Sequence, residues 1–210
     1  MMETDMEKYI LEHSSPEDEI LSELNRKTYT SVLNPHMISG HIQGKLLEML
    51  VSMIKPALVL EIGTYTGYSA ISMARTLPAG AMLHTIEIND ELEDMCREYI
   101  AKAGMENKIV LHMGDALKLM KKLNILFDLI FIDGDKRQYP EYYSLAFNML
   151  NKKGYILVDN VLWGGKVTDP KQTDPMTLGI RRFNRMVKED QRIEKIIIPL
   201  RDGLMLIRKT

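Results

Sequence analysis

The feature that most constrains the fold is an alternation, after residue 57, of short apolar runs with amphipathic stretches. The runs are Leu58–Ile62, Met82–Ile88, Ile109–Met113, Leu129–Ile132 and Tyr155–Val158. Between them, helical spacing of apolar residues is seen over Tyr68–Leu77, Glu91–Ala103, Ala116–Leu123 and Pro140–Leu150. Continuous apolar strands separated by helices indicate a parallel sheet with helices on both faces.

The end of the chain has a different pattern. After a helical stretch near Leu178–Glu189, the apolar runs Ile193–Pro199 and Leu204–Ile207 are joined by a very short connection. Such a connection joins antiparallel strands. We therefore predict an α/β fold with a doubly wound, mostly parallel sheet of seven strands that ends in an antiparallel hairpin. The terminal run Leu204–Ile207 is expected at the sheet edge.

The segment before residue 57 is predicted to be helical. Ser15, followed by Pro16 and Asp18, predicts a helix start, and Asn34-Pro35 predicts its end. A second helix is predicted between Ser39-Gly40 and Pro56. Because no linker, repeat or low-complexity stretch follows, we predict one domain over residues 1–210, with a helical cover at 1–56 and the sheet core at 57–210.

Composition excludes several classes of protein. The 210 residues carry 27 Lys and Arg against 29 Asp and Glu, so no global positive field attracts nucleic acid or membrane. The single Cys96 excludes an internal disulfide and a cysteine-rich zinc site. Apolar runs are too short for a membrane span, and Glu3, Asp5 and Glu7 have the wrong sign for a signal peptide. We therefore expect a cytoplasmic protein without membrane contact.

Polar residues at the ends of the first two strands predict a nucleoside site. The first strand leads into Glu61-Ile62-Gly63-Thr64-Tyr65-Thr66-Gly67-Tyr68-Ser69, an acid-x-Gly-x-x-x-Gly pattern. Its acid and its missing third glycine argue against a pyrophosphate, whereas Glu87, at the end of the second strand, can accept both ribose hydroxyls of an adenosine. Asp115-Ala116 follows the third strand, where Asp115 is either an adenine contact or a helix cap.

A second group of polar residues follows the fourth and fifth strands. Asp133 ends the fourth strand and Asp159-Asn160 ends the fifth, and neighbouring parallel strands bring their tips together. Two carboxylates and an amide carbonyl suit Mg²⁺, Mn²⁺ or Ca²⁺. Lys136 is close enough to face a ligand of that metal and is either a general base or a surface lysine. Trp163, before Gly164-Gly165, is either core or a wall for an aromatic substrate.

These residues resemble the S-adenosylmethionine-dependent O-methyltransferases that need a cation, a family that includes catechol and caffeoyl-CoA O-methyltransferases. The similarity covers nearly the whole chain, including His13–Glu19, Met37–Gly40, Phe131–Lys136, Val158–Trp163 and Arg201–Leu204. The resemblance implies a Rossmann-like fold and a metal at Asp133, Asp159 and Asn160. It also implies that Ser39, Ser69 and Asp133 approach the methionine amine and that Lys136 takes the hydroxyl proton.

The reaction implied is methyl transfer to a hydroxyl of a small catechol-like aromatic molecule. An alternative acceptor is a hydroxylated uridine in tRNA, which the bases between residues 179 and 210, including Arg181, Arg182 and Arg185, leave open. An NAD-dependent oxidoreductase and a non-catalytic binding module are disfavoured, the first by the glycine pattern and the second by the metal triad. Together with the resemblance, two surfaces predict a homodimer: the apolar faces of the N-terminal helices or the terminal edge strand Leu204–Ile207.

Overall fold

The computed structural model describes residues 5–210, which form a seven-stranded sheet with helices on both faces. The strands are β1 (Leu58–Ile62), β2 (Met82–Glu87), β3 (Ile109–Met113), β4 (Phe127–Ile132), β5 (Leu150–Val158), β6 (Ile193–Ile198) and β7 (Leu204–Lys209). Their order is β3-β2-β1-β4-β5-β7-β6, with β1 to β5 parallel and β7 antiparallel to both neighbours. The predicted fold class is confirmed.

Eight α-helices are present in the described part of the chain. They are α1 (Asp5–Glu12), α2 (Glu19–Ser31), α3 (Gly40–Ile54), α4 (Tyr68–Arg75), α5 (Glu93–Lys102), α6 (Ala116–Leu123), α7 (Tyr139–Asn148) and α8 (Pro175–Glu189). Short 3-10 helices lie at Pro35–Met37, Asp90–Leu92, Lys136–Gln138 and Trp163–Thr168.

Each face of the sheet packs against its own set of helices. One core layer contains buried residues of α6, α7 and α8, such as Met120, Phe147 and Phe183. The other contains buried residues of α2, α3, α4 and α5, such as Leu24 and Leu47. Burial on both faces explains why the parallel strands are continuous apolar runs instead of alternating ones.

The expected position of the last strand is wrong. β7 lies between β5 and β6, where Val158 pairs with Met205 and Lys195 pairs with Ile207, so the edge strand is β6. Burial explains this order, because Ile207 is fully buried whereas Ile196 of β6 is 61% exposed. The more apolar strand of the hairpin therefore takes the inner position.

The predicted cap of the first long helix is also wrong. Asp18, not Ser15, caps α2, because its carboxylate accepts hydrogen bonds from the N–H groups of Ile20 and Leu21. The same carboxylate pairs with Arg75 of α4 at 2.6 Å. An acid at this position therefore satisfies the helix start and fixes α2 against the core.

The division into a helical cover and a sheet core of one domain stays a prediction, and its first four residues, including Glu3, lie outside the described residues. No helix among residues 5–210 is long and apolar enough to span a membrane.

Candidate functional site

The candidate site lies beyond the carboxyl ends of β2, β1, β4 and β5. These four strands are adjacent and parallel, so the residues that follow them share one edge of the sheet. The chain order reverses between β1 and β4, and ligands of doubly wound sheets bind at this switch point. Asp133 N–H donates to the Ile62 carbonyl, and Asp159 N–H donates to the Ile132 carbonyl, which ties the three strand ends together.

The loop after β1 requires glycine at Gly63. This residue has a φ of +97°, and a Cβ there would lie 2.3 Å from the Asp133 carbonyl oxygen. The N–H groups of Gly63 and Thr64 both donate to the Ile86 carbonyl. Gly63 therefore lets the β1 loop pack directly on the segment that carries Asp133.

Glu61 is a fully buried acid at the centre of the site. Its Oε2 accepts a 2.5 Å hydrogen bond from Thr85, while its Oε1 has no hydrogen-bond partner within residues 5–210. Burial raises the pKa of Glu61 to about 8, and the charges of Asp133 and Glu87 act in the same direction. The hydroxyl of Ser69, on the first turn of α4, opposes this shift. A buried oxygen without a donor suits a cationic group of a ligand.

Glu87 is held rigidly at the end of β2. Its Oε2 accepts from the Tyr65 N–H at 2.6 Å, and its Oε1 accepts from the Ile88 and Asn89 N–H groups at 3.0 and 2.9 Å. Burial raises its pKa, and these backbone donors offset part of the shift. Each carboxylate oxygen has two lone pairs, so Oε1 is filled and Oε2 keeps one lone pair that can accept from a ligand hydroxyl.

Three further predicted cofactor residues surround this edge. Asp115 caps α6, because its Oδ1 accepts a hydrogen bond from the Lys118 N–H at 2.9 Å. This is one of the two roles predicted for Asp115. The second carboxylate oxygen takes no part in the cap bond. Ala116 is 8% exposed at the start of α6. Ser39 is 7% exposed at the N-terminus of α3.

The predicted metal ligands follow two adjacent strands. Ile132 pairs with Val158, so Asp133 and Asp159 occupy equivalent positions at the tips of β4 and β5. Burial raises the pKa of Asp159 to about 6, and the Asp133 charge adds to the effect. Asn160 next to it has a φ of +59°, which Asn tolerates better than most residues. The two acidic side chains therefore lie at neighbouring strand tips, beside one lysine.

That lysine is Lys136, whose Nζ donates to Asp133 Oδ1 at 2.7 Å. Burial by itself lowers the pKa of Lys136, but the charges of Asp133 and Tyr139 and the hydrogen bonds with them together outweigh burial and hold the pKa above its ordinary value. Lys136 is thus an internal residue of the site, which excludes the surface-lysine interpretation. The neighbouring Asp135 instead caps the Lys136–Gln138 helix and pairs with Arg137 at 2.5 Å.

Trp163 lies in the loop after β5, with a φ of +48°. Its ring packs partly against the core layer of α7 and α8, and Lys166 Nζ lies 5.8 Å from the ring centroid. The indole Nε1 is buried and has no hydrogen-bond partner in the described part of the chain. The Trp163 side chain therefore packs partly against the core and lies partly at the sheet edge that carries the candidate site.

Sequence reasoning gave no role to several residues that structure the site. Thr85 bonds to Glu61, Tyr139 donates to the Asp159 carbonyl at 3.0 Å, and Gln43 donates to Asp159 Oδ2 at 2.8 Å. Arg201 donates to Gln43 and to carbonyls of residues 36, 38 and 39. Only Arg201 belonged to a recognised sequence pattern. Local spacing predicts none of these contacts, because each joins segments at least 20 residues apart in the chain.

Comparison with known proteins gives a consistent result. Residues 11–210 match the model of a family described as O-methyltransferase. The chain is 35% identical over 162 residues to the catechol O-methyltransferase of Niastella koreensis, which covers 75% of this chain and 73% of that protein. It is 30% identical over 207 residues to a probable caffeoyl-CoA O-methyltransferase of Dictyostelium discoideum, with coverage of 96% and 90%.

The fold is also that of a solved O-methyltransferase. The structure of TomG from Streptomyces achromogenes, involved in tomaymycin synthesis and solved in complex with S-adenosylmethionine, superposes with a TM-score of 0.91. The two chains are 31% identical and each is covered completely. The chain therefore belongs to the family of S-adenosylmethionine-dependent O-methyltransferases that includes the catechol and caffeoyl-CoA enzymes.

Proposed function

We propose that the protein transfers the methyl group of S-adenosylmethionine to one hydroxyl of a vicinal dihydroxy aromatic molecule, with a divalent cation held by Asp133, Asp159 and Asn160. The observation that carries this proposal is the meeting of Asp133 and Asp159 at adjacent strand tips, with Lys136 bonded to Asp133. These groups share one sheet edge with Glu61 and Glu87, so an acceptor and a nucleoside would lie side by side.

The cofactor is assigned to the edge formed by β1, β2 and β3. Glu87 would accept a ribose hydroxyl, Asp115 and Ala116 would contact the adenine, and the Gly63-Thr64 loop would pass beneath the sugar. The proximity of the two strand ends supports this assignment. The Gly114 N–H donates to the Glu87 carbonyl at 2.7 Å, so Glu87 and Asp115 follow neighbouring strand ends.

The methionine end is assigned to Ser39, Ser69, Asp133 and Glu61. The buried Glu61 Oε1 without a donor supports this assignment, since a positively charged amine would supply the missing partner and favour the ionised form of the acid. Ser69, whose hydroxyl opposes the raised pKa of Glu61, and the buried Ser39 would provide further polar atoms. The amine therefore has an anionic, water-excluded site.

The residues of the metal site fit a hard cation. The pKa of Asp159 is raised first by burial and then by the charge of Asp133, and a dication would offset both effects. Mg²⁺ is the first candidate, with Mn²⁺ and Ca²⁺ as alternatives, because all three prefer oxygen ligands. When bound, the cation supplies Lewis acidity and a template for two adjacent substrate oxygens.

Lys136 is the proposed base. Its Nζ would first lose the proton of its ion pair with Asp133 to water and would then accept the proton of the hydroxyl that receives the methyl group. A phenol has a pKa near 10, so a positioned base is useful at neutral pH. Trp163 would form one wall for the aromatic ring.

The tRNA alternative has weaker support. Arg181 is not available to a nucleic acid, because its guanidinium is used inside the protein. It donates to the carbonyls of Lys166, Val167, Asp169 and Gln172 and so holds the segment 166–172 in place. Arg182 lies 3.4 Å from Glu141. Much of the positive charge at this end of the chain is therefore used within the protein.

Self-association is proposed from the exposed apolar side chains of α1, α2 and the segment between α2 and α3. They are Met6, Tyr9, Ile10, Tyr29, Leu33 and Met37, each more than a third exposed. Leu33, in that segment, is 84% exposed, and a group of such side chains is typical of an interaction surface. We assign a homodimer interface to this surface.

The cytoplasmic location of the protein stays a prediction.

The test is methyl transfer from labelled S-adenosylmethionine in the presence of Mg²⁺. Catechols, flavonoids, caffeoyl compounds and tRNA with and without hydroxylated uridine would be compared as acceptors. The proposal expects label in vicinal dihydroxy compounds and none in their monohydroxy analogues. Label in tRNA alone would contradict the proposed acceptor.

A further inference from the structure

One contact to the candidate metal site comes from outside the sheet. Gln43 lies on α3, in the helical segment before β1, yet its side-chain amide Nε2 donates to Asp159 Oδ2 at 2.8 Å. Gln43 is 1% exposed and Asp159 is 4% exposed, so water does not compete for this bond. A buried hydrogen bond to a carboxylate is among the stronger interactions of its kind.

The orientation of the Gln43 amide is fixed by its second partner. Arg201, in the turn between β6 and β7, donates from Nη1 to Gln43 Oε1 at 3.3 Å. A guanidinium only donates and a carboxylate only accepts, so the amide oxygen faces Arg201 and the NH₂ group faces Asp159. The same Nη1 donates to the Ile38 carbonyl at 2.9 Å, which anchors the segment before α3.

The bonds to Asp159 leave room for a ligand. Its Oδ1 accepts from the Asn160 N–H at 2.8 Å and its Oδ2 accepts from Gln43, so each oxygen has one donor. A carboxylate oxygen has two lone pairs, and one on each oxygen remains available. Donors on both oxygens restrict rotation of the carboxylate, and with it the direction of the free lone pairs.

We propose that Gln43 is a positioning residue, which orients Asp159 as a ligand of the divalent cation and is itself oriented by Arg201. This inference rests on the proposed function. It gives the helical segment before β1 a part in the metal site, because α3 supplies the donor. The substitution of a residue that orients a metal ligand commonly weakens metal affinity by about 10- to 100-fold.

The test compares Gln43→Met with the parent protein and with Gln191→Met. Methionine keeps the length and removes the donor, and Gln191 lies exposed in the turn before β6. Free Mn²⁺, measured by electron paramagnetic resonance without an acceptor, gives the metal dissociation constant. We expect it to rise about 10- to 100-fold in Gln43→Met and not in Gln191→Met. Calorimetry should show unchanged S-adenosylmethionine affinity in both variants.

Three results would overturn the inference. Parent-like Mn²⁺ affinity in Gln43→Met would show that the bond does not orient a metal ligand. An equal loss of S-adenosylmethionine affinity would show general loosening of the site. A parent protein that binds no Mn²⁺ would remove the proposed metal site as well, which separates the two failures.

A second variant covers the case in which Gln43→Met does not fold, as judged by circular dichroism. Gln43→Asn keeps an amide but withdraws it by one methylene from Asp159. Its Mn²⁺ dissociation constant should also exceed that of the parent, and raised Mg²⁺ should restore its methyl transfer. A parent-like constant in a folded Gln43→Asn protein would contradict the inference.

Discussion

At the scale of single residues, the site consists of acids whose environments differ. Glu87 has three backbone donors, Glu61 has one hydroxyl donor and one free oxygen, and Asp133 has a lysine. A fixed carboxylate with a spare lone pair suits a neutral hydroxyl, whereas a buried free oxygen suits a cation. These differences support separate roles for residues that look alike in the sequence.

The role of Glu87 can be measured through cofactor affinity. Glu87→Ala should weaken S-adenosylmethionine binding by roughly 1.5–3 kcal/mol, the range for hydrogen bonds to a charged group. The affinity is measured by calorimetry, with Glu91→Ala as the control. Glu91 is an exposed acid four residues further along the chain, so this control separates the loss of the Glu87 contact from a general charge effect. Unchanged affinity in Glu87→Ala would remove Glu87 from the cofactor site.

Substitutions of Lys136 and of Asp159 should lower methyl transfer in different ways. Asp159→Ala removes a proposed metal ligand, so its activity should be partly restored by raised Mg²⁺. Lys136→Met removes the proposed base and keeps all three proposed metal ligands, so kcat at neutral pH should fall by about 10²- to 10⁴-fold and not respond to metal. Its activity should recover as pH rises, because the substrate hydroxyl then ionises without a base.

Initial rates against Mg²⁺ concentration and pH distinguish these two behaviours. A Lys136→Met enzyme with parent-like kcat would exclude Lys136 as the base. An Asp159→Ala enzyme with an unchanged Mg²⁺ requirement would exclude Asp159 as a ligand.

At the scale of elements, α8 positions the segment that carries Lys136. Gly179 of α8 lies so close that a Cβ would be 2.3 Å from the Lys136 carbonyl oxygen and 2.8 Å from the Arg137 Cα. The same helix holds the Trp163 loop through Arg181. One helix therefore sets the distance between the proposed base and the proposed acceptor wall.

Gly179→Ala tests this packing. Alanine favours a helix over glycine by about 1 kcal/mol, but overpacking against backbone atoms costs about 1–3 kcal/mol, so a net loss of stability is expected. Urea denaturation should show a lower midpoint than for the parent, and kcat should also fall. The control is Leu178→Ala, half exposed on the same helix. A more stable Gly179→Ala protein would contradict the close contact.

A histidine pair on β2 and β3 predicts a pH effect on stability. His84 Nδ1 lies 2.9 Å from His112 Nε2, and burial lowers the pKa of both. The unfolded chain therefore takes up protons first as pH falls, and stability is lost below the ordinary histidine pKa of about 6.5. The raised pKa of Glu61 stabilises the folded protein as pH falls, which opposes the effect of the histidines. The contribution of the histidine pair is therefore measured as a difference between variants.

The measurement is the urea midpoint of the parent and of His112→Gln between pH 8 and pH 5. The parent should lose more stability over this range than the variant. His13→Gln, at the exposed end of α1, is the control and should follow the parent. Equal losses in the parent and in His112→Gln would show that the pair does not titrate in this range.

Much of the fold was predictable because local patterns determine it. Buried parallel strands are continuous apolar runs, so β1 to β5 were located, and Ala116–Leu123 was placed correctly to the residue. Strand order within the hairpin was not predictable, because it depends on how β7 pairs with both β5 and β6. Ser15 and Asp18 are both good caps, and only the contact with Arg75 distinguishes them.

The site was predictable to the extent that it lies at strand ends. Asp133 and Asp159 follow neighbouring strands, which the pattern alone places at one edge. Gln43 is 116 residues from Asp159 in the chain, and no periodicity or spacing connects them. Contacts of this kind depend on how α3 packs over the sheet, which is a property of the whole fold.

At the scale of the whole molecule, the exposed apolar surface of the first helices predicts self-association. Light scattering at micromolar concentration should give about twice the monomer mass of 24.2 kDa. Leu33→Glu would place a charge in the proposed interface and should shift the mass to that of a monomer. The control is Lys188→Glu, on the distant helix α8. A monomeric parent would contradict the proposal.

The central claim is that methyl transfer needs a cation at Asp133, Asp159 and Asn160. The most direct measurement is transfer of label from S-adenosylmethionine to a catechol by the parent enzyme, before and after EDTA treatment, and again after Mg²⁺ is restored. The account predicts that activity is lost with EDTA and returns with Mg²⁺, while S-adenosylmethionine still binds without metal. Full activity in EDTA would contradict it, because these three residues would then hold no catalytic metal.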